Sequence, residues 1–439
     1  MKPQPTPRGF FRSSGQHALI VATGSVLTGV FLAYLPKPYI YIFALWTIAC
    51  VYGAAIAAKP LAKILWLNLV AVFFAFGCAE IYFYEVYFSE EPPRETEFAA
   101  SDLIPGNTDI IDLFGKHDVL GWAPTKGSTF FETTRFANTL IYKVRYTIDK
   151  HGLRVAPPFA AAPDEQARCL LFFGDSFTFG EGVGDEETMP YRVGQKSHGR
   201  YQVYNFGFLG YGPHQMLAQL QEGLVDTAIH CKPAYTIYQA LPDHVSRAAG
   251  LEAWDQFGPK FVRTDNGSVV QRGHFEDEKK GGFLAGLRRF HYSLPNEAKH
   301  YLEKSALYKG LLYLHRPVND HDIDLCLRIV DQSRRTLEAR YEKVQFHVLF
   351  WDFSGEDPTE TKLIQGLRAQ NIKVHLISDI LPEYRDHENR FEIHPADGHP
   401  NKLAYELLAD YILRAIVKDS DHGGQSDTTV PEVKNSITR

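Results

Sequence analysis

Three long apolar runs open this chain, and no other feature limits its fold so sharply. Ala18 to Leu35, Tyr39 to Ala58 and Leu61 to Ala79 are each about long enough, at roughly 1.5 Å of rise per helical residue, to cross a hydrocarbon layer of about 30 Å. Pro36-Lys37-Pro38 and Lys59-Pro60 separate them, and these are poor helix continuations that carry charge. Nearly every face of the runs is apolar, whereas helices buried in a soluble domain normally keep a polar face. The first run lacks a small-residue cleavage pattern before Pro36 and two more runs follow, so it reads as a span and not as a cleaved signal peptide. Residues 1–88 are therefore expected to be a membrane anchor of three transmembrane helices.

Charge orders the spans. Lys2, Arg8 and Arg12 precede the first, Lys59 and Lys63 flank the second turn, and Glu80, Glu85, Glu90 and Glu91 follow the third. Positive residues stay on the cytoplasmic side, so an odd number of spans carries everything after Tyr87 out of the cytoplasm, with Lys37 a minor exception. Tyr39, Tyr41, Tyr82, Tyr84 and Tyr87 sit near the span ends, where aromatic rings favour the headgroup region. No intramembrane acidic pair or broken helix suggests transport. The expectation is a multi-pass inner-membrane anchor, with membrane lipid as its partner and the remaining domain extracytoplasmic.

The rest of the 439 residues reads as soluble protein, and a net charge of −6 argues against a nucleic-acid surface, which needs clustered Lys and Arg. Cys50 and Cys78 fall in the apolar runs. Cys169 lies in an expected buried strand and reads as a small apolar residue, and a bridge between Cys231 and Cys326 is one option left open. No Cys/His spacing suggests zinc, and no cofactor or metal is expected.

Residues 89–165 form a lead-in with short strands, among them Tyr142 to Ile148, which alternates and ends in the turn Asp149-Lys-His-Gly152. Continuous apolar runs follow: Cys169 to Phe173, Gln202 to Phe206, Tyr235 to Ala240, Val344 to Phe350 and Ile372 to Ile377. Runs of this kind suit parallel strands buried on both faces. Helical patterns lie between them, at Thr188 to Lys196, His214 to Ala228, Leu325 to Tyr341 and Thr359 to Gln370, with a last one from Asn401 to Val417. Alternation of strand and helix implies a parallel five-stranded sheet in a three-layer α/β domain over 166–417. A charged, aromatic segment at about 246–324 interrupts it and reads as an insertion, expected over the C-terminal ends of the strands. The polar tail 418–439 is expected to be disordered.

Chemistry concentrates in three places. Phe173-Gly-Asp-Ser-Phe-Thr-Phe-Gly180 ends the first buried strand and presents Ser176 at its C-terminal end, where a following turn can aim N–H groups at an oxyanion. Asn205-Phe-Gly-Phe-Leu-Gly-Tyr-Gly212 ends the second strand, and a glycine loop can bring a backbone N–H close to a substrate oxygen. His394-Pro-Ala-Asp-Gly-His-Pro-Asn401 stands before the last helix, with a carboxylate two positions ahead of His399 to orient its ring. Each alone matches an ordinary turn or cap; their order along one domain is what singles them out.

Together these motifs resemble the SGNH/GDSL hydrolase family over about residues 166–417, the insertion excluded. The resemblance implies a flavodoxin-like three-layer SGNH sandwich with Ser176 as nucleophile, His399 as general base and Asp397 as its orienting carboxylate. It also implies an oxyanion site made by the backbone N–H groups of Ser176 and Gly210. Gly210 is chosen over Gly207 because the family's oxyanion glycine usually lies five residues past the Asn at the strand end, here Asn205. Two departures stand out. The family's Gly-x-Asn-Asp block is replaced by Ala240-Leu-Pro-Asp-His-Val245, where, depending on alignment, Asp243 replaces the oxyanion Asn or matches the following Asp. An ionised Asp243 would repel an oxyanion, so either it serves structurally or His244 supplies the donor. The spacing Asp-x-His replaces the commoner Asp-x-x-His and is similar to extracytoplasmic relatives that acetylate polysaccharides. The resemblance thus implies a serine esterase or O-acyltransferase acting on acylated small-molecule, glycan or lipid-linked substrates, with a separate membrane protein as an optional acyl supplier. The alternative is a catalytically weak SGNH-like module that binds glycan in an envelope assembly, which the missing Asn favours.

Overall fold

The structure, a computed structural model, describes residues 7–35, 37–87, 94–100, 114–136, 139–158, 167–277, 282–313, 316–353, 356–385, 388–395 and 397–417. Helices α1 (Pro7–Tyr34), α2 (Pro38–Ile56) and α3 (Pro60–Tyr87) follow the apolar runs. Each starts at a proline, whose fixed φ and missing N–H suit a first helical turn. All three are long and apolar enough to cross a membrane. Leu61, Ile48 and Val26 stand exposed on their outer faces. Helices α2 and α3 approach closely at a small residue: a Cβ at Gly53 would fall 2.7 Å from the Trp66 ring.

The lead-in is antiparallel. Strands β1 (Arg94–Ala100), β4 (Thr129–Phe136) and β5 (Thr139–Thr147) form one sheet, and β2 (Phe114–His117) pairs with β3 (Gly121–Pro124). Side chains of β4 alternate between half-buried and buried, with Phe130, Glu132, Thr134 and Phe136 turned inward.

The main sheet comprises β6 (Arg168–Phe173), β7 (Gln202–Asn205), β8 (Lys232–Ala240), β11 (Gln345–Phe350) and β12 (Lys373–Leu376), in the order β12-β11-β8-β6-β7 and parallel throughout. Counted along the chain that order is 2-1-3-4-5, the flavodoxin-like winding, so the sequence reading of a three-layer α/β domain holds. Connections are α4 (Ser176–Phe179), α5 (Met189–Lys196), α6 (Pro213–Gln221), α7 (Leu224–Ala228) and α8 (His244–Ala248). Next come the hairpin β9 (Pro259–Arg263) and β10 (Val269–His274), then α9 (Phe283–Ser293), α10 (Asn296–Glu303) and α11 (Ala306–Tyr313). The chain continues through α12 (Asp320–Arg340), α13 (Pro358–Ala369), α14 (Ile377–Ile380), α15 (Glu388–Phe391) and α16 (Lys402–Tyr411). The two faces of β6 show the layering. Leu171 and Phe173 join a core with Leu217 of α6, Ile329 of α12 and Leu367 of α13, while Leu170 and Phe172 join Val193 of α5 with Tyr405 and Leu408 of α16.

Three expectations are corrected. The helix expected from His214 to Ala228 breaks in two at Gly223, which takes φ 71°, a left-handed conformation that stops a helix. Cys169 is not a free apolar filler: it is bridged to Cys231, with Cα atoms 6.0 Å apart. The cause is sheet order, since β6 and β8 enter the sheet side by side, with Cys169 opposite Pro233. Cys326, the other residue of the option left open, stays a free thiol in the core, where burial pushes its pKa up to about 12. The insertion does not simply cover the strand ends. Its start, around Trp254, reaches the loop after β7, whereas α10 and α11 turn away to α1, α2 and α3. The tail 418–439 lies outside the described residues.

Candidate active site

A parallel sheet wound 2-1-3 leaves a crevice where successive connections depart to opposite faces, and that point lies between β6 and β8. Ser176 follows β6 there. Gly174 allows the chain to turn sharply: it takes φ 148°, and a Cβ on it would lie 2.2 Å from Thr178 Oγ1. Asp175 then caps the short helix α4, accepting the Phe177 N–H at 3.0 Å. Ser176 is the first residue of that turn, so its own N–H has no intrahelical acceptor.

His399 arrives from the far end of the chain. Its Nε2 lies 2.9 Å from Ser176 Oγ and its Nδ1 lies 2.6 Å from Asp397 Oδ1. The two-residue spacing explains how one carboxylate serves both backbone and ring: the same Asp397 oxygen accepts the His399 backbone N–H at 3.2 Å, an Asx turn. Gly398 between them takes φ 71°, which favours glycine. Phe177 packs its ring 5.2 Å from the imidazole and 5.0 Å from Trp351, an apolar wall for the base. Ser176 and His399 are nearly buried, so hydrogen bonds here compete little with water.

The glycine loop divides its tasks. Gly207 presses on the nucleophile turn, where a Cβ would lie 2.6 Å from that of Thr178, and its N–H is already donated to Asn205 Oδ1 at 3.1 Å. Gly210 takes φ 71° beside Trp122 and Trp254. Among the described residues neither the Ser176 nor the Gly210 N–H has a partner.

Asp243 and His244 do not face an oxyanion together. Asp243 is exposed at the start of α8. His244 is buried with both ring nitrogens engaged, Nδ1 at 2.5 Å from the Tyr238 hydroxyl and Nε2 at 3.3 Å from Asp175 Oδ2. This corrects the expectation of His244 as a donor, because no ring N–H is left for a substrate. Arg247 Nη1 also meets Asp175 Oδ2, at 2.8 Å. Burial alone would raise the Asp175 pKa, but His244, Arg247 and the Phe177 amide outweigh it and hold the carboxyl well below the usual range. Burial pushes His244 down and keeps it neutral despite Asp175. The Asp175 carboxylate can only accept, so a neutral His244 donates to it from Nε2 and accepts the hydrogen bond of the Tyr238 hydroxyl at Nδ1. Asp175 therefore braces the nucleophile turn against α8.

Two further groups escaped the sequence reading. Glu181 follows the Gly-Asp-Ser motif, and its Oε2 lies 3.3 Å from His399 Nε2. Arg154, contributed by the lead-in, is fully buried, donating to the Phe179, Gly180 and Val183 carbonyls at 2.9, 2.5 and 2.7 Å and pairing with Asp185. It stacks on Tyr146, whose hydroxyl accepts the Gly182 N–H at 2.8 Å and donates to the buried Glu132. The lead-in thus holds the loop that carries Glu181. An extended motif could have flagged Glu181; nothing local marks Arg154. The large cavity of about 1000 Å³ lined by Arg263, Phe275, Arg316 and Arg328 includes no residue of the Ser176–His399–Asp397 chain. Among the described residues no cluster of His, Cys, Asp and Glu has the makings of a metal site.

No family model and no curated protein matches the sequence. Among solved structures, one similar chain is a lipolytic protein of the G-D-S-L family from Desulfitobacterium hafniense, 13% identical over 57% of this chain and 99% of that one, with a TM-score of 0.28. A carbohydrate esterase family 2 enzyme with a carbohydrate-binding domain, from Corynascus thermopiles (Myceliophthora fergusii), is 13% identical over 61% and 70% of the two chains, with a TM-score of 0.31. An acetyl xylan esterase from Butyrivibrio proteoclasticus is 10% identical over 56% and 63%, with a TM-score of 0.28. Likenesses this distant carry no activity from one chain to another.

Proposed function

We propose that this chain is a membrane-anchored serine ester enzyme of the SGNH type, acting outside the cytoplasm on acyl esters of cell-envelope glycan or lipid-linked material. The observation that carries the reading is the continuous hydrogen-bonded chain from Ser176 Oγ through His399 to Asp397 at the switch point of the sheet. Ser176 Oγ attacks the acyl carbonyl while His399 Nε2 takes its proton, and Asp397 keeps the other ring nitrogen protonated and aimed. The unspent N–H groups of Ser176 and Gly210 receive the oxyanion. His399 then returns the proton to the leaving alcohol, and the acyl group passes from Ser176 to water or to a sugar hydroxyl. The fold supplies no third donor from Asp243 or His244, so turnover about 10²–10³ below that of a three-donor site is the expectation.

Two arguments support the outward face. The charge order of the spans directs the domain out of the cytoplasm. The Cys169–Cys231 bridge independently suits an oxidising compartment. The second reading, a glycan-binding module with little or no turnover, is favoured by one observation, the engagement of both His244 nitrogens by structural partners.

The deciding experiment compares purified full-length protein in detergent with its Ser176→Ala and Asp397→Asn variants on a small activated acetyl ester. Serine-dependent turnover is expected, abolished by Ser176→Ala and reduced about 10²–10⁴-fold in kcat by Asp397→Asn with unchanged circular dichroism. A folded protein with no turnover and no labelling by an active-serine probe would leave the binding module as the function.

A further inference from the structure

The later part of the insertion is built onto the ends of the membrane helices. Glu80 stands twenty residues beyond Pro60 on α3, about 30 Å along the axis and so at the far interface of a bilayer. It is buried, and its carboxylate accepts from Ser305 Oγ at 2.7 Å, the Ala306 N–H at 2.7 Å and the Leu307 N–H at 3.0 Å. Those are the first donors of α11, so an acid of a spanning helix caps a helix of the insertion. The other two spans join at the same end. Lys304 Nζ donates to the Leu32 carbonyl near the end of α1 at 3.1 Å, and the Tyr39 hydroxyl at the start of α2 donates to the Tyr301 carbonyl at 3.1 Å. Gly310 lies flush on Phe83 of α3, where a Cβ would fall 2.0 Å from the ring.

Helix α9 precedes these contacts, and beyond its half-buried Leu284 and Leu287 it keeps apolar side chains on its outer side too. Phe283, Gly286, Arg289 and Phe290 share an exposed face, with Phe283 74% and Phe290 53% exposed. On the opposite side His291 is buried and Arg288 donates from Nε to the Leu312 carbonyl at 2.9 Å. Two well-exposed phenylalanines beside an arginine on one helix face suit a helix lying in a lipid headgroup layer.

We infer that α9 to α11 form a foot lying on the bilayer leaflet from which the spans emerge, with Phe283 and Phe290 entering the acyl boundary and Arg289 meeting lipid phosphates. The inference rests on the reading that α1–α3 span a membrane. Its occupant is lipid, because the foot is continuous with three span ends at one height. The foot fixes the height and tilt of the Ser176 domain over the membrane, which a tether alone would leave free.

The test replaces single residues of the full-length chain by p-benzoylphenylalanine, reconstitutes it in phosphatidylcholine–phosphatidylglycerol vesicles, irradiates it and reads adducts by mass spectrometry. Positions Phe283 and Phe290 are compared with Leu67 on α3 and Leu407 on α16, all exposed. Lipid adducts at Phe283, Phe290 and Leu67 with none at Leu407 are expected. Adducts at Leu67 without adducts at Phe283 and Phe290 would overturn the foot while leaving the anchor intact. Cross-links from Phe283 or Phe290 to a second copy of the chain would overturn it in favour of a protein interface. Absence of adducts at Leu67 would overturn the membrane reading and the foot with it.

Discussion

Glu181 and Ser176 both address His399 Nε2, at 3.3 and 2.9 Å. A carboxylate beside the base favours the imidazolium that forms when Ser176 gives up its proton. The same charge repels any anionic group brought to the nucleophile, by up to about 4 kcal/mol at 4 Å in an effective dielectric of about 20. Gln keeps the shape and removes the charge. Glu181→Gln is therefore expected to raise kcat/KM for an acyl ester bearing a free carboxylate about tenfold relative to the acetyl ester. Identical substrate ratios in the two enzymes would remove Glu181 as a charge filter. At this scale Ser176, Asp397 and His399 were legible because each sits in a short motif at an element's edge. His244 was not: its neighbours Tyr238 and Asp175 come from other elements, and no spacing along the chain reports them.

The elements carry two predictions. The Cys169–Cys231 bridge closes a loop with a sequence separation of 62. In the chain-entropy account a loop of that size limits the unfolded state by about 4 kcal/mol. Cys231→Ser is expected to lower unfolding stability by about 2–4 kcal/mol in denaturant titrations of the detergent-solubilised chain, and an unchanged midpoint would show the bridge to be idle. On the sheet edge, His347 of β11 meets His375 of β12 at 2.9 Å, and His375 meets Tyr411 at 2.8 Å. Burial, then Lys373 and His375, push the His347 pKa down to about 3. An unfolded histidine binds its proton near pH 6.5, so between those values the unfolded state holds the extra proton. Stability is thus full above about pH 6.5 and falls as pH drops toward 3, by up to about 1.4 kcal/mol per pH unit for this group. Melting curves from pH 7.5 to 5 should fall in the wild type and fall less steeply in His347→Gln; parallel curves would exclude His347 as the cause.

Across the whole molecule, the anchor, the bridge and the foot all bear on sidedness. Lys59 and Lys63 stand at the turn between α2 and α3, while the soluble domain leaves from the end of α3 that carries Glu80. Lys37, the exception to the charge rule, lies over the Tyr84 ring at 3.7 Å and so has a local partner. Protease added to intact spheroplasts is expected to digest the soluble domain, and sealed inside-out vesicles are expected to protect it. Protection in spheroplasts with digestion in inverted vesicles would reverse the topology and leave the disulfide without its oxidising compartment.

Local patterns alone were enough to place the three long apolar helices, the five strands and most other helices, because hydrophobic runs, periodicity and proline breaks act within a few residues of themselves. The order of Gly-Asp-Ser, the glycine loop and Asp-x-His was likewise written along the chain. Tertiary structure decided which cysteine meets Cys231, since pairing follows strand adjacency and not spacing. It also decided that Arg154 of the lead-in braces the nucleophile loop, and that the insertion packs partly on α1–α3 and not wholly above the sheet. Each of these depends on two surfaces meeting across sequence distance, where burial, charge and hydrogen-bond satisfaction are settled only by the packed neighbours.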